Sequence, residues 1–451
     1  MKRIRPFKIL AGVLFTVAWF AFCYPEITAP WIRGFDSILR LVNVDRWIVV
    51  NDSGPWLPGL QVLLNLMSKI SDSPAAYKLL VNLIALPGAL LLLNLVWNYV
   101  SPWSALFTGL YFLSDWSWWF MSTSIYMEPL LLFNLSAALT AQLNRKQILA
   151  CFFFLLATFS RPELLLAAPG LVISVFFWTK SLKSACRLAA LYVPVLVFFL
   201  VSKWGISEFY TPLVFNGELS QNVLYKFFIP FLLPGKYFFR AVAVLAMIEI
   251  ATIFSAKSKC QAGNRWLRFF ILTWGVFILT MTVIAPFFHS IGPGSSRFSL
   301  FTVLPIFFLA SLFIDSSIRR FPVLKACLIA ASVAGITIQW VRFTPQAPSE
   351  YTLADEVLHF LGKNQSTALN EGGGKTISVI VTPSDRIISS NLLLYARFRG
   401  WRLEFQPPRK APILKLFHLN KSDSFDSLAD QMNCTSYSSD TKHHYGWCIS
   451  D

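Results

Sequence analysis

The chain has 451 residues, of which 55% are hydrophobic and 14% are charged, and its mean hydropathy is +0.56. Because soluble globular proteins carry about 25% charged residues, this composition excludes an ordinary soluble domain and predicts a polytopic membrane protein. The formal net charge of +16 would suggest nucleic-acid binding in a soluble chain. Here much of the charge falls in short loops between apolar segments, where it orients a membrane protein, so we expect membrane lipids as partners and no nucleic acid.

Apolar segments long enough to cross a bilayer, about 20 residues each, follow one another through the first three-quarters of the chain. The first lacks a small-residue cleavage pattern, so we interpret it as an uncleaved span. The predicted spans, about eleven in number, are Lys8–Tyr24, Lys78–Asn98, Trp103–Met121, Glu128–Leu143, Gln147–Ser160, Leu164–Thr179, Leu188–Trp204, Tyr237–Ser255, Phe269–His289, Phe298–Ile314 and Leu324–Val341.

Basic residues cluster in every second turn between these spans, as they do at the N-terminus. By the positive-inside rule, these turns and the N-terminus lie in the cytoplasm and the C-terminus lies outside. Trp56–Ile70 is also apolar, but counting it as a span would place the later clusters outside. We therefore predict an interfacial or partly embedded helix there, in the first external loop. The clusters are Lys2/Arg3/Arg5/Lys8, Arg145/Lys146, Lys180/Lys183/Arg187, Lys257/Lys259/Arg265/Arg268 and Arg319/Arg320/Lys325.

The predicted fold class is an all-α polytopic membrane domain, residues 1–341, followed by a small extracytoplasmic α/β domain, residues 342–451. Two long external loops, 25–77 and 205–236, belong to the membrane domain in this interpretation. In the tail, pattern and turn residues predict helices at Thr352–Leu361 and Ile387–Phe398, with strands at Thr376–Val381 and Trp401–Phe405. Cys434 and Cys448 could form a disulfide in an extracytoplasmic tail.

The turns on the opposite side carry a sparser set of charged residues. Charges beside membrane spans are costly, so a group of them on one face is a functional-site hypothesis. These residues are Asp36, Glu128, Arg161, Glu163, His289 and Arg297.

The two carboxylates that open this set each have a functional and a structural interpretation. Asp36 could act as a general base on a hydroxyl or bind a metal. The alternative is a solvated loop carboxylate, and Asp45 and Asp52 compete for the role. Glu128 could hold a substrate hydroxyl or a metal, or it could simply complement the dipole at a helix N-terminus.

Arg161 and Arg297 lie in turns assigned to the extracytoplasmic side, where the positive-inside rule does not predict basic residues. A guanidinium binds phosphate with two parallel hydrogen bonds, so these residues indicate an anionic ligand at the membrane surface. The alternative is an ion pair of Arg161 with Glu163 or Glu128. Trp56 fits an interfacial anchor.

Several short stretches occur in an order that resembles a known superfamily. They are Asp36 in the first external loop, Trp56-Leu57-Pro58-Gly59-Leu60, Met127–Leu131 at the start of a later span, Arg161–Glu163 after a short apolar helix, Arg297-Phe298 with Pro305, and Leu394–Trp401 in the tail. Their order resembles that in the C-type glycosyltransferases. These are polytopic enzymes that use lipid-phosphate sugar donors, such as the protein O-mannosyltransferases and the lipid A aminoarabinose transferases.

The resemblance implies an inverting transfer of a sugar from a polyprenyl-phosphate donor to a hydroxyl of a glycan, lipid or protein. It implies Asp36 as the base, Arg161 and Arg297 as phosphate ligands, and Glu128, Glu163, Trp56 and His289 as substrate contacts. No cofactor is certain, and Asp36 and Glu128 would be the ligands of a divalent metal. We expect a bacterial plasma membrane location, or the endoplasmic reticulum in a eukaryote.

Two alternatives remain at this stage. A transporter or lipid flippase would share the polytopic layout and some of the membrane charges. A catalytically inactive glycan-assembly subunit would share the fold. Ser37, which follows Asp36 where the superfamily often has a second acid, favours that interpretation.

Overall fold

The computed structural model divides into two compact units. Unit 1 comprises Met1–Glu26, Arg46–Leu63 and Lys78–Thr344, and unit 2 comprises Ile27–Asp45, Leu64–Tyr77 and Pro345–Asp451. The structure describes residues 4–46, 49–51, 54–56, 58–99, 101–114, 116–144, 146–160, 181–190, 323–342, 345–364, 376–381, 386–400, 402–404, 413–418, 436–440 and 445–450, with single positions between 172 and 197.

Helices dominate the described part of the chain. They are α1 (Ile4–Thr28), α2 (Phe35–Val42), α3 (Pro58–Ser68), α4 (Pro74–Tyr99), α5 (Pro102–Ser114), α6 (Trp116–Thr123), α7 (Glu128–Leu143), α8 (Gln147–Ser160), α9 (Val323–Arg342), α10 (Ser349–Asn364) and α11 (Arg386–Phe398). The strands are β1 (Val49–Asn51), β2 (Gly54–Trp56), β3 (Thr376–Val381), β4 (Arg402–Glu404), β5 (Ile413–His418), β6 (Ser436–Asp440) and β7 (Tyr445–Ser450).

Among the described residues, two helices are long and apolar enough to cross a membrane, Pro6–Thr28 within α1 and Pro74–Asn98 within α4. Four further predicted spans fall mainly within the described residues without meeting this standard: Trp103–Met121, Glu128–Leu143, Gln147–Ser160 and Leu324–Val341. The predicted spans at Glu128–Leu143 and Gln147–Ser160 coincide with α7 and α8, but these helices have only 16 and 14 residues. The predicted spans between Leu164 and Ile314 lie wholly or mainly outside the described residues.

Helix α1 presents a large apolar face outward. Its large exposed side chains recur at helical spacing on neighbouring turns, and each is at least half exposed. A continuous exposed apolar surface is costly in water and is typical of a surface that meets lipid or another apolar partner. These side chains are Phe7, Ile9, Leu10, Val13, Leu14 and Val17.

Helices α1 and α4 run antiparallel in unit 1. At one end, Lys8 Nζ donates to Asn98 Oδ1 at 2.9 Å. Towards the other end, Trp19 Nε1 donates to Asn82 Oδ1 at 3.0 Å. Because the start of α1 contacts the end of α4, and the later part of α1 contacts the early part of α4, the two helices are neighbours that run in opposite directions.

The predicted spans Lys78–Asn98 and Trp103–Met121 are joined by a turn that has no basic residue, and this turn separates two distinct helices, α4 and α5. Ser101 caps α5, because the Ser104 backbone N–H donates to Ser101 Oγ at 3.1 Å. A Cβ placed on Gly109 of α5 would lie 3.6 Å from Leu93 Cδ2 of α4, so the two helices lie side by side. Although this turn has no basic residue, α4 and α5 are therefore two helices and not one continuous span.

The C-terminal parts of α1, α6 and α9 gather at the same end of unit 1. Trp119 Nε1 donates to the Phe22 carbonyl oxygen at 3.2 Å. The Phe22 ring stacks on Trp340 of α9, with centroids 5.8 Å apart and an interplanar angle of 7°. Asn82, near the start of α4, donates to the Ser122 carbonyl at 3.3 Å. This arrangement is the one expected if α1, α6 and α9 all run towards the same side.

Unit 2 contains a five-stranded mixed sheet in the order β4-β3-β5-β7-β6. Strand β3 pairs in parallel with β4 and β5, whereas β7 pairs antiparallel with β5 and β6. Helix α11 ends at Gly400, whose φ of 70° is in the left-handed region that glycine adopts without strain. The predicted strand Thr376–Val381 is confirmed, and the helices predicted at Thr352–Leu361 and Ile387–Phe398 lie within α10 and α11.

The sequence analysis assigned the whole of loop 25–77 to the membrane domain, whereas the structure divides this loop. Ile27–Asp45 and Leu64–Tyr77 cluster with the tail in unit 2, and Arg46–Leu63 belongs to unit 1. The boundary near residue 341 lies close to the observed division after Thr344. Cys448 is in β7, and the Cys434 partner predicted for it lies outside the described residues.

Candidate functional site

Asp36 lies in the first turn of α2, in unit 2. Gly34 precedes the helix with a φ of 80°, which favours glycine, and its carbonyl accepts from the Ser37 and Ile38 backbone N–H groups at 3.0 and 3.2 Å. A carboxylate in a first turn is stabilised by the positive end of the helix dipole. The chain therefore holds the half-buried Asp36 at a defined position and not in a solvated loop.

Helix α2 packs against the tail helix α11 through its buried face. Ser37, Ile38, Arg40 and Leu41 are buried on α2. Just ahead of α2, the Ile32 backbone N–H donates to Tyr395 Oη of α11 at 2.7 Å. Asp36 in the first external loop and the stretch Leu394–Trp401, two of the features in the family resemblance, thus belong to one compact unit.

Arg397 of α11 joins two carboxylates of the same loop. Its Nη1 donates to Asp45 Oδ2 at 2.9 Å and its Nε donates to Asp72 Oδ2 at 2.8 Å. Burial alone would lower the pKa of Arg397, but the hydrogen bonds and charges of Asp72 and Asp45 outweigh it and raise that pKa. Asp45, which competed with Asp36 for the role of base in the sequence analysis, is therefore engaged in an ion pair.

Glu128 is the first residue of α7, in unit 1, and it is 1% exposed. Pro129 follows it and fits the first turn of a helix. Four to six positions earlier in the sequence come three buried hydroxyl side chains, Ser122, Thr123 and Ser124. Burying a carboxylate is costly unless its charge is compensated, so this position is more consistent with a specific role than with a surface dipole partner.

Two of the segments in the family resemblance lie beside each other and beside the end of α8 in unit 1. A Cβ placed on Gly59, at the start of α3, would lie 3.3 Å from the Phe159 carbonyl oxygen and 3.5 Å from Leu130 Cδ2. Phe159 lies in the last turn of α8, whose final residue directly precedes Arg161 in the sequence. Leu130 follows Glu128 by two residues. The Pro58-Gly59 turn, the start of α7 and the end of α8 are therefore neighbours, although they are distant in sequence.

Trp56 ends strand β2, and its backbone pairs with Val49 in the antiparallel hairpin of β1 and β2. The segment Trp56–Ile70, predicted to be helical, contains α3, which begins at Pro58; its placement at the membrane interface stays a prediction. Arg161, Glu163, His289 and Arg297 lie outside the described residues. Asp36 belongs to unit 2, whereas Trp56 and Glu128 belong to unit 1.

Two further charged residues were not singled out by the sequence analysis. Lys78 near the start of α4 and Glu26 near the end of α1 are both fully buried, and Lys78 Nζ donates to the Glu26 carbonyl oxygen. The signal that could have found Lys78 is the one used for Arg161, a cation on the side where the positive-inside rule does not place it. It was instead interpreted as the beginning of a span.

Within the described ranges, no group of three or more His, Cys, Asp or Glu side chains is placed to hold a metal ion. The expected metal ligands, Asp36 and Glu128, belong to different compact units. No family model, curated protein or solved structure matches the chain.

Proposed function

We propose that this protein is a polytopic membrane glycosyltransferase that moves a sugar from a polyprenyl-phosphate donor to a hydroxyl acceptor on the extracytoplasmic face. The observation that carries the proposal is the convergence of Gly59, Leu130 and Phe159 in unit 1. It brings two of the segments in the family resemblance beside the end of α8, and the buried carboxylate of Glu128 lies two residues before Leu130 in the sequence.

In the proposed reaction the acceptor oxygen attacks the anomeric carbon of the sugar from the face opposite the phosphate. The bond between this carbon and the phosphate oxygen breaks, and the polyprenyl phosphate leaves with the electron pair. Asp36 takes the acceptor proton as general base. Arg161 and Arg297 stabilise the charge that develops on the leaving phosphate. Glu128 orients acceptor or sugar, with Glu163, Trp56 and His289 as further contacts.

The helix directions in unit 1 support the membrane orientation in this proposal. The ends of α1, α6 and α9 meet where α4 begins, as the contacts of Phe22 with Trp119 and Trp340 show. If the N-terminus lies inside, this common end lies outside. Glu26, Lys78 and Glu128 all lie at or near helix ends that the same assignment places outside. The expected location is a bacterial plasma membrane.

The transporter or flippase alternative predicts charged groups near the middle of the spans and broken helices in corresponding halves. The buried charges of unit 1 named above lie near helix ends, and a folded sheet domain is present in unit 2. These observations favour chemistry at the membrane surface. The inactive-subunit alternative shares both features, so only an activity measurement separates it from the enzyme.

The test is transfer from a panel of radiolabelled polyprenyl-phosphate sugars by the full chain in proteoliposomes. Product is separated from donor, and movement of the intact donor across the bilayer is measured in the same vesicles. We expect label in the acceptor and release of polyprenyl phosphate. Translocation of intact donor without transfer would establish the flippase alternative, and neither transfer nor translocation by the folded protein would favour the inactive subunit.

A further inference from the structure

The tail helix α11 holds the chain on both sides of α2. Tyr395 Oη accepts from the Ile32 backbone N–H at 2.7 Å, ahead of α2. Arg397 Nη1 donates to Asp45 Oδ2 at 2.9 Å, just beyond the end of α2. Tyr395 and Arg397 are two residues apart on α11. Helix α2, which carries Asp36, is therefore anchored at both ends by a single turn of another helix.

Arg397 also fixes a second part of the same loop. Its Nε donates to Asp72 Oδ2 at 2.8 Å. Asp45 belongs to the stretch 27–45 and Asp72 to the stretch 64–77, which residues 46–63 separate in the sequence. One guanidinium therefore joins these two stretches. The planar guanidinium presents its donors in a fixed fork and can serve two carboxylates at once, which an ammonium group does with less precise geometry.

Neighbouring groups hold the two carboxylates in place. Tyr77 Oη donates to Asp72 Oδ1 at 2.6 Å, so Asp72 accepts from two side chains. Lys69 Nζ lies 3.9 Å from Asp45 Oδ1. Isolated ion pairs at a surface contribute little, but a network in which one partly buried arginine connects three chain segments constrains their relative positions. The Arg397 side chain is 27% exposed.

We propose that Tyr395 and Arg397 are positioning residues that fix α2, and with it Asp36, on the tail domain of unit 2. The catalytic consequence rests on the proposed function, because it takes Asp36 as the base. The anchoring of α2 by Tyr395 and Arg397 does not depend on the proposed function. The tail is then part of what sets the geometry of the reaction.

The anchoring is tested by hydrogen–deuterium exchange of the full chain in lipid nanodiscs. In Arg397→Gln, peptides that cover residues 32–45 and 64–77 should exchange faster than in wild type, and Arg397→Lys should lie between them. Arg399→Gln is the matched control, because Arg399 lies two residues further on and pairs with Asp355 of α10. Exchange of the loop in Arg397→Gln equal to that in wild type would overturn the inference.

The catalytic consequence is tested by transfer kinetics with the same variants. We expect Arg397→Gln to lower kcat about tenfold to a hundredfold with KM within about a factor of two, since a displaced catalytic group costs rate more than binding. Arg397→Lys should recover part of the loss, and Tyr395→Phe should show a smaller decrease in kcat. An unchanged kcat in a variant whose loop exchanges faster would overturn the positioning role.

The two arms separate failure of this inference from failure of the proposed function. If wild type transfers no sugar from any donor, the proposed function fails, and the exchange experiment still decides whether the anchoring exists. Peptides of α10 and β3 report whether unit 2 remains folded. If Arg397→Gln unfolds the whole unit, Arg397→Lys becomes the deciding variant, and wild-type exchange and wild-type kcat in it would contradict the inference.

Discussion

Gly59 lies against the backbone of Phe159, because a Cβ added to Gly59 would lie 3.3 Å from the Phe159 carbonyl oxygen. That distance is tighter than an ordinary van der Waals contact, and the opposing atom belongs to backbone near the end of α8. Any larger side chain at residue 59 must displace either the start of α3 or the segment that leads into Arg161. A side chain at Gly59 therefore needs a shift of a few tenths of an ångström in this arrangement, which supports the proposed site.

We expect Gly59→Ala to lower transfer activity moderately and Gly59→Val to lower it by about tenfold or more, because misplacement of positioning elements reduces rate strongly. The measurement is kcat in proteoliposomes beside the melting temperature. Gly109→Ala is the control, since a Cβ there would meet its nearest neighbours at 3.5 Å, an ordinary contact. Wild-type activity in Gly59→Val would show that this contact does not support the site.

Gly88 of α4 permits a close approach of α7. A Cβ on Gly88 would lie 2.9 Å from the Phe133 backbone nitrogen and 3.0 Å from its Cα, so one helix must shift. We expect Gly88→Ala to destabilise the protein by about 1–3 kcal/mol, as overpacking does. Thermal unfolding in detergent measures this. Gly12→Ala on α1 meets nothing within 4 Å and should have a melting temperature at or above that of wild type; equal effects of both substitutions would contradict the packing of α4 on α7.

Asn82 links α1 to α6 in the interior of unit 1. It accepts from Trp19 Nε1 at 3.0 Å and donates to the Ser122 carbonyl at 3.3 Å. Asn82→Leu leaves a buried indole N–H and a carbonyl without these partners, which should cost about 1–3 kcal/mol of stability. In a double-mutant cycle with Trp19→Phe, the combined loss should be less than the sum of the two single losses. Strict additivity would mean that the Trp19–Asn82 hydrogen bond contributes nothing.

The pKa of Tyr351 in α10 is raised by burial and by the charge and hydrogen bond of Asp355. A raised pKa in the folded state means that the protonated phenol is preferred there. The corresponding stability is fully present below the unfolded pKa, about 10, and is lost as pH rises through the folded pKa. We expect wild type to lose stability relative to Tyr351→Phe above about pH 10. Denaturant unfolding from about pH 8 to about pH 11, on either side of the ordinary tyrosine pKa, checks this, and a pH-independent difference would contradict it.

The sequence predicts local elements of this protein better than it predicts how they assemble. Periodicity and turn residues place α7, α8, β3 and most of α11, because these elements have strong apolar patterns with clear ends. Strands β5 to β7 were not predicted, since they are only five or six residues long and β6, with the sequence SYSSD, has no apolar alternation. Pairing between distant strands depends on contacts that no single segment encodes.

The candidate site shows the same limit. The alternation of turns between the two sides of the membrane predicted that Asp36 and Glu128 are functional candidates. The structure places each of them in the first turn of a helix. The alternation of turns between the two sides of the membrane could not predict that loop 25–77 divides between two units. The partners of Ile32, Asp45 and Asp72 lie more than 300 positions later in the sequence. Lys78 was overlooked because a cation at a span end is usually a solvated anchor, whereas here it is fully buried.

The role of Asp36 as the base is decided by single-turnover transfer of radiolabelled sugar from a polyprenyl-phosphate donor in proteoliposomes, with wild type beside Asp36→Asn. The substitution Asp52→Asn removes another carboxylate of the same loop and serves as the control. We predict transfer by wild type and by Asp52→Asn, and loss of transfer in Asp36→Asn with normal expression and donor binding. Near-normal transfer by Asp36→Asn would remove Asp36 from the mechanism, and no transfer by the folded wild type would contradict the assignment as a glycosyltransferase.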